Sequence, residues 1–122
     1  MNGFVGNIEE LTETNSHYRQ VIYTGPKMQL VLMTLQPGEE IGLEKHDSHD
    51  QFFRIESGDG KIVINGEESF IGDGIGAIVP AGAEHNVINE GSVPLKLYTL
   101  YAPPEHASGT IHATKADEPA HE

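Results

Sequence analysis

The chain has no cysteine among its 122 residues. That absence excludes a disulfide framework, a thiolate nucleophile and any zinc or iron–sulfur site built on sulfur ligands. Basic residues are scarce: seven Lys and Arg stand against 19 Asp and Glu, for a net charge of −12. Nucleic-acid phosphates and anionic membrane surfaces both demand a basic footprint, so neither is expected as a partner. No apolar run approaches the ~20 residues that cross a bilayer. The opening Met1-Asn2-Gly3-Phe4-Val5 lacks the basic start and apolar stretch of a signal peptide, and a cytoplasmic protein is expected. Sustained helical periodicity is missing too. Ile8-Glu9-Glu10-Leu11 supports one helical turn and nothing longer. At this length the chain is a single domain.

Turn residues are plentiful. Fourteen Gly and seven Pro cut the chain from Tyr18 onward into short apolar segments. Strands are predicted over 18–24, 28–35, 40–46, 51–56, 61–65, 67–71, 75–79, 84–89 and 95–101. Their spacing of roughly 8–12 residues predicts an all-β sandwich or barrel. Asn65-Gly66 is the favoured two-residue hairpin pair, because a type I′ turn needs positive φ at both positions. Ser57-Gly58-Asp59-Gly60 is read as a second hairpin turn, and Glu90-Gly91-Ser92 as the last break between strands. The organisation is then an N-terminal segment (1–17), a barrel (18–102) and an extended C-terminal arm (103–122). The arm carries Ile111 as its lone large apolar residue, and disorder is expected for its last few residues.

Candidate chemistry gathers on three strands. Glu44 and His46 share one face of a strand while Lys45 takes the other. Gln51 opens the following strand, and His85 opens another after the turn Pro80-Ala81-Gly82. Two imidazoles, one carboxylate and one amide oxygen can converge on one metal inside a barrel. Taken singly, each has a plainer explanation: a hydrogen-bonded strand histidine, a solvated glutamate, a turn glutamine. Phe53 and Ile55 share parity with Gln51 and are expected to line the core. Tyr98, Thr99 and Tyr101 cannot all point inward from one register. His49, in the loop Asp47-Ser48-His49-Asp50, is a candidate acid/base.

Gly38-x5-Glu44-x-His46-x4-Gln51-x6-Gly58 resembles the first motif of the cupin superfamily. Gly74-x5-Pro80-x-Gly82-x2-His85-x3-Asn89 is similar to the second at every fixed position. The runs GLEKHDSHDQFFRIESGDG, IVPAGAEHNVIN and YTLYAPPEH resemble small bacterial cupins labelled mannose-6-phosphate-isomerase-like, a name of similarity and not of activity. The resemblance implies a cupin jelly-roll (double-stranded β-helix) barrel with a divalent metal held by Glu44, His46, Gln51 and His85. Cupins usually place His where this chain has Glu44, and Glu where it has Gln51.

The function implied is a metal-dependent isomerase or lyase acting on a small oxygenated substrate, such as a sugar or a keto or hydroxy acid. Zinc, iron, nickel and manganese all suit the ligand set. Glu44, as ligand or base, and His49 would be the catalytic groups. The alternatives are a non-catalytic small-ligand-binding module and an iron-dependent dioxygenase. A homodimer is also implied, since open jelly rolls have strand edges to cover. A phosphate pocket would need inward-facing Lys or Arg. Lys45 and Arg54 have the wrong parity for that, and the sequence leaves Lys61 and Lys96 unplaced.

Overall fold

A computed structural model describes residues 3–119. Its framework is two antiparallel sheets facing each other as a jelly roll. The larger contains β1 (Arg19–Thr24), β2 (Gln29–Leu35), β4 (Asp50–Ser57), β7 (Gly76–Val79), β9 (Leu95–Ala102) and β10 (Ile111–His112), in the order β10-β1-β2-β9-β4-β7. The smaller holds β3 (Glu44–Lys45), β5 (Asp59–Ile64), β6 (Glu67–Gly72) and β8 (Glu84–Ile88), in the order β3-β8-β5-β6.

Register decides what faces inward. β9, LKLYTLYA, alternates buried and half-buried along its whole length, the period of a strand with one face in a core. Its inward Leu95, Leu97, Thr99 and Tyr101 stand opposite Leu35, Met33, Val31 and Gln29 of β2. On the other side, Tyr101, Thr99 and Leu97 stand opposite Gln51, Phe53 and Ile55 of β4. Arg19 and Val21 of β1 continue the same face opposite Met33 and Val31. The inner faces close over a core that includes Val31, Met33, Phe53, Ile55, Ile62, Val87 and Leu97. Thr99 and Tyr101 thus point inward and Tyr98 outward, while Phe53 and Ile55 line the core as expected.

Several expectations need correction. The N-terminal helix is not one turn but two: α1 runs Ile8–Thr14, capped by Asn7, whose Oδ1 accepts from Glu10 N at 3.1 Å. It is extended by tertiary bonds that local sequence does not show. Asn15 Nδ2 donates to Thr34 Oγ1 (3.1 Å), and the Thr34 hydroxyl donates to Asn15 O (2.8 Å). The strand expected over 40–46 shrinks to Glu44–Lys45, because Gly42 sits at φ +105 and breaks the pairing, leaving an isolated bridge from Glu40 to Ile88. Ser57–Gly60 is not a hairpin turn. β4 and β5 lie in different sheets, so the segment crosses between them. Glu90–Ser92 lies on a similar crossing from β8 to β9.

The Asn65-Gly66 hairpin forms with φ +49 and +83, and Asn65 does more than turn. Its N–H donates to Glu84 O (2.7 Å), and its Oδ1 accepts from Glu84 N (3.0 Å). Both bonds clamp the residue immediately before His85.

The C-terminal arm folds back on the barrel. β10 pairs with β1, and a 3₁₀ turn follows at Lys115–Asp117. Gln29 fastens the arm's start: its Oε1 accepts from the backbone N–H groups of Glu105 (3.1 Å) and His106 (2.9 Å), and its Nε2 donates to His106 O (2.7 Å). The disorder expected at the very end concerns, from Ala120 onward, positions outside the described residues.

Candidate metal centre

Each candidate ligand is aimed by its strand. Glu44 of β3 and His85 of β8 are directly opposite in register, so both side chains leave the same face of the smaller sheet. His46 follows β3, and its carbonyl accepts from Gly82 N at 2.9 Å, tying the ligand loop to the Pro80-Ala81-Gly82 turn. Asp50 Oδ1 reinforces the tie by accepting from Ala81 N (2.9 Å). One ligand atom each from Glu44, His46 and His85 lie within 4.8 Å of one another. Gln51 enters from the opposite sheet, 2% exposed.

Hydrogen bonding leaves the metal-binding atoms of three of these residues bare. His85 Nδ1 lies 3.2 Å from Ala83 O; donation of its proton there leaves the lone pair on Nε2. Gln51 Nε2 donates to Thr99 Oγ1 at 3.0 Å, which turns Oε1 to the interior. His85 Nε2, Gln51 Oε1 and His46 Nε2 are all buried without a hydrogen-bond partner. Such atoms are uncommon in native proteins; among the described residues Arg19, His49, Arg54 and Glu56 carry others, and those on His46 and His85 fall in a group with Glu44 that could hold a metal ion.

The electrostatics of the two imidazoles differ. Glu44 Oε1 lies 3.5 Å from His46 Nε2, an ion-pair contact rather than a formed hydrogen bond. That interaction with Glu44 is the main influence raising the His46 pKa; Glu105 adds to it and burial opposes it. Burial lowers the His85 pKa against the pull of the Ala83 carbonyl and Glu44, so this imidazole is held neutral, the state in which it can ligate.

His49 joins a second, adjoining group. His46, His49 and Glu105 also bring ligand atoms within 4.8 Å of one another. His49 Nε2 lies 3.4 Å from Glu105 Oε1 and 3.0 Å from Pro104 O. Its ring meets Tyr101 edge-on, as does that of His46, with centroids 6.5 and 5.9 Å away. Glu105 is a residue the sequence did not single out; the Ala102-Pro103-Pro104 corner that brings it back over His46 was the only available signal.

Nor did the sequence single out Arg19. None of the four cations weighed for an anion pocket serves one: Lys45 pairs with Asp47, Arg54 with Glu56, Lys61 with Glu68 and Glu90, and Lys96 Nζ donates to Asn15 O. Arg19, 1% exposed, points inward from β1 instead.

His106 packs on Tyr101 with centroids 5.2 Å apart, and its Nε2 lies 3.3 Å from the Tyr101 hydroxyl. Burial, then the charges of Arg19, His112 and His46, push its pKa down to about 4 against the opposing pull of Glu44. A depressed histidine contributes stability that is complete above pH ~6.5 and is lost as the pH falls through that value toward 4. The arm is therefore expected to loosen from the barrel across this window, seen as a shift of the Ile111 methyl resonances. An unchanged spectrum down to pH 4 would contradict the assignment.

The Cupin domain family model matches residues 31–101. The uncharacterised protein YrkC of Bacillus subtilis is 46% identical over 98% of this chain and 67% of its own length. The crystal structure of BH2720 from Bacillus halodurans superposes with a TM-score of 0.92 at 44% identity, covering 93% of this chain and 91% of that one. A mannose-1-phosphate guanylyltransferase of Salmonella typhimurium is 30% identical over 62% of this chain, but over only 16% of that much longer protein. With its two facing antiparallel sheets and the family match over most of their length, the chain belongs to the cupin domain family.

Proposed function

We propose that this cupin is a metal-dependent enzyme of isomerase or lyase type, acting on a small oxygenated substrate such as a sugar or a keto or hydroxy acid. The observation that carries the reading is the pair of buried acceptors on His85 and Gln51 that have no hydrogen bond, beside His46 and the carboxylate of Glu44, which lies 3.5 Å from His46 Nε2. Two neutral imidazoles, an amide oxygen and one carboxylate fit zinc, iron, nickel or manganese. Glu44, His46, Gln51 and His85 would hold a divalent ion, which would supply Lewis acidity toward neighbouring substrate oxygens.

The chain's own residues do the rest. Glu44 would balance one of the ion's two charges, and the net positive site would suit negative charge developing on oxygen; this favours isomerase or lyase chemistry over dioxygenation. His49, outside the ligand set and 3.4 Å from Glu105, moves the proton, with Glu44 as the other candidate base. Burial raises the Tyr101 pKa, so its hydroxyl keeps its proton and serves as a donor. Pro104 and Glu105 lie against His49 on this side. The partial likeness to mannose-1-phosphate guanylyltransferase supports a sugar or sugar-derived substrate. A cytoplasmic homodimer belongs to the same reading. Phe70 and Ile78, each 69% exposed on the edge strands β6 and β7, support the pairing, and the mass in solution by light scattering checks it.

The test is elemental analysis of protein purified without added metal. Near-stoichiometric metal is expected, and Glu44→Gln that keeps the metal but loses turnover would assign Glu44 as the base. Iron would direct assays to oxygen uptake, and zinc, nickel or manganese to isomerase and lyase screens. Protein that takes up no metal even after reconstitution would overturn the proposal.

A further inference from the structure

Among the described residues, Arg19 is the one Lys or Arg on the inner face of the larger sheet, opposite Met33 of β2 and His112 of β10. Burying a guanidinium is costly unless it is paired and its donors are used. Arg19 Nη1 lies 2.7 Å from Glu118 Oε2 and 3.2 Å from His112 Nδ1, yet Nε has no partner. The anion on this cation therefore comes from the arm, not from the barrel. The arm's regular hold at that end is slight: a two-residue strand and a single 3₁₀ turn.

A cavity of about 310 Å³ opens beside Arg19, lined also by Glu105, His106, Thr110, His112 and Glu118. That volume suits a small metabolite. Glu105 links it to the metal centre, for its Oε1 lies 3.7 Å from His46 Nδ1. His106 links it as well, through the Tyr101 ring that meets His46.

We propose that Arg19 anchors the carboxylate of the substrate, and that Glu118 occupies this position as an internal stand-in until a substrate carboxylate displaces it. This rests on the enzymatic reading above and narrows its substrate to small carboxylic acids, such as a sugar acid or a hydroxy or keto acid. Exchange, rather than addition, follows from the charges. Arg19 is already paired with Glu118, whose other oxygen lies 3.7 Å from Lys115 Nζ, and Glu105 adds a second carboxylate to the cavity lining, so a further anion finds no free cation there unless Glu118 leaves. Once it leaves, Arg19 again faces one carboxylate through a planar fork that matches it, with Nε available as a second donor. The far end of a compact acid then lies toward Glu105 and His46.

The experiment uses metal-free full-length protein, with lactate as probe and lactamide as its neutral counterpart, followed by calorimetry. Glu118→Ala, which removes the competitor, is expected to bind lactate at least tenfold more tightly than wild type and to leave lactamide unbound. Arg19→Lys placed in the Glu118→Ala background should give back at least tenfold, since it keeps the charge but loses the fork. In wild type, saturating lactate should speed hydrogen exchange at the amides of Tyr18 and Val21, which donate to Ala113 and Thr110 of the arm. A purely structural ion pair predicts the opposite pattern: a lower melting temperature in Glu118→Ala with no gain in lactate affinity. That result in folded protein would overturn the proposal. Because binding is read without metal, it fails or stands separately from metal content, which alone decides the reading of the metal centre.

Discussion

Protein carrying His85→Ala is expected to emerge from purification without its metal and to bind added metal at least ~100-fold more weakly than wild type. Removing even an outer partner of a metal ligand typically costs about 10–100-fold, and His85 is expected to be a direct ligand. Its aim is fixed on every side. The Asn65 clamp holds Glu84, the β3–β8 register sets His85 opposite Glu44, and the Ala83 carbonyl selects the tautomer. Folding should survive. The substitution removes the Nδ1 contact with Ala83 O and packing against Phe53 and His46, whose ring centroids are 6.1 and 5.5 Å away, while Nε2 has no hydrogen bond to lose. A loss of about 1–3 kcal/mol is expected. Elemental analysis beside a thermal melt checks both halves, and full metal occupancy in folded His85→Ala protein would remove this residue from the ligand set.

The largest stability effect is expected at Gly58. It has φ +83 where the chain leaves the larger sheet for the smaller, and an added Cβ would lie 2.9 Å from the Leu95 Cα. That Cβ would lie closer still to the Pro94 carbonyl oxygen, and both neighbours are backbone, so nothing can swing aside. Left-handed conformation costs a non-glycine residue roughly 1–2 kcal/mol, and forcing atoms into filled space roughly 1–3 more. Gly58→Ala should therefore lose about 2–5 kcal/mol in denaturant unfolding. Gly66→Ala is the control: the same φ of +83 but nothing within 4 Å of the added atom, so only the conformational part should appear. Equal losses at the two positions would show that the close approach to Pro94 and Leu95 does not matter.

These two glycines also show how far the sequence could be read. Asn65-Gly66 declares a hairpin because its conformation is local. Ser57-Gly58-Asp59-Gly60 looks the same, yet which sheet the next strand joins is decided by partners far along the chain. The alternating strands were legible for a similar reason, and β9 keeps strict alternation over eight residues. Helix α1 was cut short in the reading because its second turn depends on Thr34, nineteen residues beyond Asn15. The cupin resemblance implied Glu44, His46, Gln51 and His85 as candidate ligands, and the fold brings atoms of Glu44, His46 and His85 within 4.8 Å of one another. Arg19 was not, since an arginine opening a strand looks like a polar edge until pairing with Met33 shows that it faces inward. Glu118 reaches Arg19, and Glu105 reaches His46 and His49, only because the arm folds back.

Strand β2, Gln29–Leu35, is buried at all seven positions, which has a consequence for how the protein fails. The run QLVLMTL carries no charge, no proline and no glycine, and segments of this kind stack readily into cross-β assemblies when exposed. Here β1 and β9 occupy its two edges, the core covers one face, and α1 packs on this sheet from outside. The acidic helix, with Glu9, Glu10 and Glu13, is thus a charged cover over the most aggregation-prone stretch of the chain. Losing it would leave the candidate ligands on the inner faces in place but expose a stretch prone to form fibres.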